Sequence, residues 1–141
     1  MKKIIYFAIF ISVILISGCS SDKKMKDGFY TAEMSEYSYG WREYLCIMVK
    51  NDAIVYAEFN AKDPSGYIKA WDNLYMKRML PADGTYPNEY TRNYTAQLIK
   101  MQSNNIDALT GATNSGENFK KLSLAVIEQA KKGDTNVIVV E

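Results

Sequence analysis

Residues 107–116 combine small side chains with hydroxyl groups directly before a predicted helix. Gly111, Ala112 and Gly116 keep bulky side chains away, so that backbone N–H groups can approach a ligand. The helix that we predict from Glu117 adds four unpaired amide donors and the positive end of its dipole. Both features favour a bound anion such as a phosphate group.

The hydroxyl groups of Thr110, Thr113 and Ser115 can donate hydrogen bonds to phosphate oxygens. The same residue types also suit a plain helix start, and Asn114 followed three residues later by Glu117 fits a capping pair. On the residue types alone the cap is favoured, because Ser, Thr, Asn and Gly are what capping requires. Both interpretations stay open at this point.

The composition excludes several kinds of site. The chain of 141 residues contains no histidine, which excludes Ser/His/Asp or Cys/His catalysis, histidine-ligated zinc and a histidine pH switch. Lys and Arg number 17 against 16 Asp and Glu, so no strongly basic surface is available for a nucleic acid. We therefore expect no nucleic-acid partner, and we assign neither a metal site nor catalytic residues.

The first residues have the pattern of a secretory signal peptide. Lys2 and Lys3 precede an apolar run at residues 4–16, which is shorter than the roughly 20 residues of a membrane-spanning helix. The run ends in Ile-Ser-Gly-Cys, which resembles a bacterial lipobox with Cys19 as the lipidated residue. The alternative is an ordinary cleaved signal followed by an unrelated cysteine. We predict a signal peptide at 1–18, a flexible tether at 19–27 and a lipid anchor on the extracytoplasmic face of the cell membrane.

Residues 28–141 are predicted to form one α+β domain, an antiparallel sheet with helices packed on it. Strands are predicted from aromatic and β-branched runs at 29–34, 44–49, 54–59 and 137–140. Helical spacing predicts helices at 67–78, 87–101 and 117–132, with Pro81 and Gly84 separating the first two. Cys46 falls in a strand, where a buried and inert thiol is expected.

The sequence Asp-Ala-Leu-Thr-Gly-Ala-Thr at 107–113 resembles the flavinylation motif Asp-x-x-Ser/Thr-Gly-Ala-Thr of the FMN-binding domain family. That family includes peripheral flavin subunits of sodium-pumping NADH:quinone oxidoreductases and Rnf-type complexes, and small bacterial lipoproteins. The resemblance extends over residues 27–141, including 27–33, 39–41 and 119–135, although only the motif is specific.

In this family a flavin transferase joins the phosphate of FMN, taken from FAD, to the last threonine of the motif. The resemblance therefore implies a covalent FMN on Thr113, with Asp107 and Thr110 recognised during transfer. It implies a cofactor-binding set of Asp107, Thr110, Gly111, Ala112, Thr113, Asn114 and Ser115. The flavin ring also needs an aromatic wall, for which we name Tyr37, Tyr39, Trp41, Tyr67 and Trp71, although ordinary packing is favoured for each.

The function implied is that of a membrane-anchored flavoprotein that carries electrons between a redox partner protein or the quinone pool and another acceptor. No second cofactor motif or acid–base cluster is visible, which favours a carrier over a complete enzyme. The alternative is a surface lipoprotein or antigen of the same fold that binds a partner without flavin. Arg78 either extends its charge to water or pairs with the FMN phosphate.

Overall fold

The computed structural model describes residues 23–141, so the predicted signal peptide and Cys19 lie outside the described residues. The predicted α+β class is confirmed, with a four-stranded sheet and helices packed on it. Its elements in chain order are β1 (Gly28–Met34), β2 (Arg42–Lys50), β3 (Ala53–Lys62), a 3₁₀ turn (Lys69–Trp71), α1 (Asn73–Asp83), α2 (Pro87–Met101), α3 (Thr113–Lys132) and β4 (Ile138–Val140).

The sheet has the strand order β3-β2-β1-β4, and only the β1–β4 pair is parallel. Side chains alternate along β2, so that one face carries the buried residues Glu43, Leu45, Ile47 and Val49. Ile47 lies opposite Tyr30 on β1, and Leu45 lies opposite Phe59 on β3. This register places the apolar side chains of three strands on one face, where the helices cover them.

α2 packs on β3, and α3 packs on β1 and β2. Phe119 of α3 stacks on Tyr94 of α2 with 5.5 Å between ring centroids and meets Phe59 edge-on at 4.9 Å. Both helices end at the same end of the sheet. Gln102, directly after α2, bonds to Ile54 beside the β2–β3 turn, and α3 also finishes there. Both helices therefore begin at the opposite end. Within residues 23–141 no helix covers the opposite face of the sheet, where Cys46 is a half-buried free thiol.

The helix that was predicted from residue 67 begins later than the spacing indicated. Ile68 forms a bridge with Lys62 at the end of β3, and the chain then makes the 3₁₀ turn. α1 starts only after Asp72, whose carboxylate accepts a hydrogen bond from the amide of Tyr75 at 2.9 Å. The side-chain cap therefore sets the helix start.

Pro81 was predicted to separate two helices, but it lies inside α1. α1 buries none of its residues, so water can reach the carbonyl group that the proline leaves without a partner. The helix ends at Gly84, which has φ +73° and donates its N–H to the carbonyl of Leu80. None of the helices within residues 23–141 is long and apolar enough to span a membrane.

We expect the two leucines on α3 to differ sharply in their contribution to stability. Leu122 is 0% exposed and Leu124 is 51% exposed. Leu122→Ala should lower the free energy of unfolding by about 2–5 kcal/mol, because it leaves a core cavity. The control Leu124→Ala should change it by about 0.5 kcal/mol or less. Urea denaturation measures both, and similar losses would contradict the assigned orientation of α3.

Candidate functional site

A cavity of about 480 Å³ opens at the end of the sheet where α3 begins. This volume lies within the range of about 300–1,000 Å³ typical of small-molecule sites. Five of the predicted cofactor-binding residues line it, namely Gly111, Ala112, Thr113, Asn114 and Ser115. Asp107 and Thr110 do not line it and are exposed to solvent. The cavity is called the α3 cavity below.

Gly111 allows the loop that carries the motif, residues 107–112, to lie against the end of α1. We call it the motif loop. It has φ +82°, a conformation that favours glycine, and a Cβ at this position would overlap the carbonyl oxygen of Asp83. Asp83 itself lines the α3 cavity. The small residue at 111 thus serves a close approach of two backbone segments, as well as leaving space for a ligand.

Tyr94 of α2 fixes the position of the motif loop through two hydrogen bonds. Its fully buried hydroxyl donates to the carbonyl of Ala112 at 3.0 Å and accepts from the amide of Leu109 at 3.1 Å. Burial raises the pKa of Tyr94, only partly offset by the Leu109 amide, so the hydroxyl keeps the proton that it donates. A Cβ on Gly116 would stand 2.6 Å from the same hydroxyl oxygen, which explains the glycine in the first turn of α3.

α3 begins at Thr113, one turn before the predicted start at Glu117. Ala112 occupies the N-cap position without a side-chain hydrogen bond, so the predicted cap by Asn114 is wrong. The first helical bond runs from the amide of Gly116 to the carbonyl of Ala112. The amides of Thr113, Asn114 and Ser115 therefore have no carbonyl of the helix to donate to. The Thr113 side chain is exposed at the cavity.

Ser115 makes a contact that the sequence did not predict. Its hydroxyl donates to Glu43 at 2.5 Å, and the side-chain amide of Asn118 donates to the other oxygen of Glu43 at 2.8 Å. Glu43 lies on the core-facing side of β2 and is buried beside the start of α3. The Ser115 hydroxyl is thus already engaged, and the free amides, Thr113 and Asn114 are the groups left for a ligand.

Lys69 is a second residue that sequence reasoning missed, and it supplies a cation to the same cavity. Its side chain is 8% exposed, and its Nζ lies 4.7 Å from the ring centroid of Tyr75 and 6.0 Å from that of Tyr90. Among the described residues no carboxylate lies within ion-pair distance of it. No sequence pattern distinguished this lysine, because residue 69 was predicted to lie in an ordinary helix.

The pKa values of the groups around Lys69 show which of them carry charge. Burial lowers the pKa of Lys69, but the phenols of Tyr90 and Tyr75 together raise it by more, so Lys69 is protonated at neutral pH. Burial raises the pKa of Tyr90, and Glu43 raises it further against the lowering effect of Lys69. The cavity wall therefore holds one buried cation, Lys69, beside the neutral phenol of Tyr90.

Two of the five aromatic candidates line the α3 cavity, Tyr39 and Trp41, whereas Tyr37, Tyr67 and Trp71 do not. Tyr39 and Gly40 both have positive φ, at 52° and 85°, in a tight turn closed by two hydrogen bonds between Ser38 and Trp41. This turn holds the Tyr39 ring, 89% exposed, at the cavity mouth. Tyr75, which meets Trp41 edge-on at 6.1 Å, was not among the candidates.

Arg78 does not reach the α3 cavity. Its side chain is exposed, and its Nε donates weakly to the carbonyl of Leu74 at 3.4 Å on the same helix. Of the two interpretations of Arg78, the one in which its charge extends to water agrees with this position. Lys69 is the cation that lines the cavity instead.

Comparison with known proteins gives a family and a class. The crystal structure of the CPE2226 protein from Clostridium perfringens has a TM-score of 0.80 and 35% identity, covering 82% of this chain and 97% of that one. The chain belongs to the same family as that protein. A solution NMR structure of a Clostridium thermocellum protein matches with a TM-score of 0.51 and 25% identity, over 75% of this chain and 92% of that one.

The chain is also similar to the 15 kDa lipoprotein of Treponema pallidum (strain Nichols). The two are 26% identical over 135 residues, which cover 94% of each. No family model matches the chain. The protein is thus a relative of a small bacterial lipoprotein, with an α+β fold.

Gly111→Ala should destabilise the protein more than Gly66→Ala, which is a matched control. Both glycines have strongly positive φ, but a Cβ on Gly66 meets nothing within 4 Å. The control should lose about 1–2 kcal/mol of unfolding free energy from the left-handed conformation alone. Gly111→Ala adds the overlap with Asp83, so its loss should be larger in urea denaturation. Equal losses would contradict the close approach.

Proposed function

We propose that the protein is a lipid-anchored extracytoplasmic flavoprotein that carries electrons through FMN joined by a phosphoester to the Thr113 hydroxyl. The observation that carries the proposal is that the exposed Thr113, at the start of α3, shares one cavity with the buried cation Lys69. A covalent link of this kind retains the cofactor outside the cell.

The phosphate end of the group fits the start of α3. The amides of Thr113, Asn114 and Ser115 are free of helical partners, and the helix dipole adds positive potential there. The buried carboxylate of Glu43 works against an anion, but two side-chain donors satisfy its oxygens. Lys69 adds a full positive charge that no carboxylate of the described residues neutralises at ion-pair distance.

The ring end fits the aromatic part of the wall. Trp41, Tyr75 and Tyr90 line the cavity, and Tyr39 stands at its mouth. Aromatic side chains of this kind offer flat apolar surface for stacking, while Tyr hydroxyls offer polar contacts. When bound, FMN would supply the redox chemistry, and the protein would hold the group and set its electrostatic surroundings.

The two motif residues outside the cavity fit a role during attachment. Asp107 and Thr110 are exposed, and the backbone of Asp107 is held by Gln97, which accepts from its amide at 2.7 Å and donates to its carbonyl at 3.3 Å. Residues that are open to solvent, on a backbone held at Asp107, suit recognition by a flavin transferase. The predicted anchor at Cys19 accords with the lipoprotein relative.

Thr113→Ala should abolish the covalent flavin. The full chain would be produced with and without a flavin transferase and analysed by intact mass and peptide mapping. We expect a mass increase of FMN less one water on the wild type, on Thr113→Ser, which keeps a hydroxyl, and on the control Thr135→Ala. A colourless and unmodified protein from its native cells would contradict the proposal and favour the alternative of a binding module without flavin.

Lys69→Met should make the bound FMN harder to reduce. A buried cation stabilises negative charge added to the cavity, so its removal should shift the midpoint potential to more negative values. The control is Lys62→Met, because Lys62 pairs with Glu33 at 2.9 Å and does not line the cavity. Spectroelectrochemical titration measures both variants. An unchanged potential in Lys69→Met would place the cation outside the field of the flavin.

A further inference from the structure

The described chain begins at the end of the molecule opposite the α3 cavity. The amide of Met25 donates to Asp52 in the β2–β3 turn at 2.7 Å, and the amide of Lys26 donates to the carbonyl of Ala130 near the end of α3 at 2.9 Å. Ala130 lies 17 residues after Thr113 on α3, so these contacts are about 25 Å from Thr113. We call this end, formed by residues 23–27, 50–52, 100–105 and 128–134, the tether end.

Exposed lysines are concentrated at the tether end. They are Lys23, Lys24, Lys26, Lys50, Lys100 and Lys132, together with Lys131, which pairs with Glu128. Two of the carboxylates at this end, Asp27 and Asp52, accept hydrogen bonds from backbone amides. α2 and α3 also end here, and some of the lysines compensate the negative ends of their dipoles. Lysines outnumber carboxylates nonetheless, and the excess is open to solvent.

We propose that the tether end rests on an anionic phospholipid surface, so that the α3 cavity faces away from the membrane. Lysines close to such a surface each raise partitioning about fivefold, and the lipid on Cys19 would keep them there. Cys19 precedes Lys23 by four residues, so the two lie at most about 14 Å apart. This reach holds the tether end near the bilayer.

A second surface offers the competing orientation. Trp71 in the 3₁₀ turn and Leu74 at the start of α1 are exposed, and Lys77 and Arg78 follow on α1. Such a surface is typical of a helix that lies in a membrane interface. α1 forms part of the cavity wall, however, at the end remote from Lys23. The tether end is therefore the surface that the short chain to Cys19 holds nearer to the bilayer.

The orientation restricts what can meet the cavity. A molecule dissolved in the bilayer cannot enter a cavity that opens about 25 Å away from the tether end. If the proposed function holds, the electron partner is therefore a water-exposed protein domain rather than the quinone pool. The orientation rests on the lipid anchor of the proposed function, whereas only this consequence rests on the flavin.

Fluorophore quenching by spin-labelled lipid headgroups tests the orientation. The lipid-anchored full chain, with Cys46→Ser to remove the free thiol, would carry one labelled cysteine at Asn105→Cys, Leu74→Cys or Tyr39→Cys. In phosphatidylglycerol-containing vesicles we expect strong quenching at position 105 and only the lipid-free level at 74 and 39. Quenching that is strongest at 74 or 39, or equal at all positions, would overturn the proposal. None of these readings requires flavin, so failure here is distinct from failure of the proposed function.

Charge-reversal variants test the cause. Lys23→Glu, Lys24→Glu and Lys132→Glu combined should remove the preferential quenching at position 105, as should high salt or purely phosphatidylcholine vesicles. The matched control combines Lys77→Glu and Arg78→Glu on α1 and should retain it. If the control loses the preference and the lysine variant keeps it, α1 and not the tether end contacts the lipid. If neither variant changes it, the lysines do not orient the molecule.

Discussion

The buried hydroxyl of Tyr94 joins the core of the protein to its cavity, and the arrangement of the site depends on it. Its ring is packed between Phe119 and Phe59, which fixes the hydroxyl relative to the sheet. The hydroxyl then holds both ends of a four-residue turn, Leu109 and Ala112. A buried hydroxyl that lost these partners would cost about 1–3 kcal/mol, so the loop and the core stabilise each other. Rigid packing is thereby transmitted to Thr113, one residue further on.

The charges in the α3 cavity are unusual for their burial. Glu43 is satisfied by two side chains of α3, whereas Lys69 rests against aromatic rings with no carboxylate of the described residues at ion-pair distance. Removing a charge from water costs several kcal/mol unless other groups compensate it. Contacts with the rings of Tyr75 and Tyr90 return part of this cost. An anionic ligand would offset more of this desolvation cost. The buried Lys69, and not the exposed Arg78, is therefore the cation that indicates an anion site.

The two ends of the molecule favour opposite charges because of the way α2 and α3 are arranged. α2 and α3 pack on the same face of the sheet and run in the same direction, so that their amide ends meet at the cavity and their carbonyl ends meet where the chain begins. Anions are favoured at the first end and cations at the second. The buried site and the lysine-bearing surface are two consequences of one helix arrangement.

The α+β class, the four strands of the described residues and the position of α2 could be predicted from the sequence, because apolar periodicity follows directly from which face is buried. The motif residues 111–115 were also predicted as a group, since they are contiguous and their small size has a local reason. The start of α3 was misplaced because the contact of Gly116 with Tyr94, twenty-two residues earlier, allows the helix to begin at Thr113. Glu43 and Lys69 were missed because each looks ordinary in its own segment. The chain by itself determined local conformation and the loop chemistry, whereas only tertiary packing decided which distant charges share the cavity, because their meeting depends on strand register and helix direction.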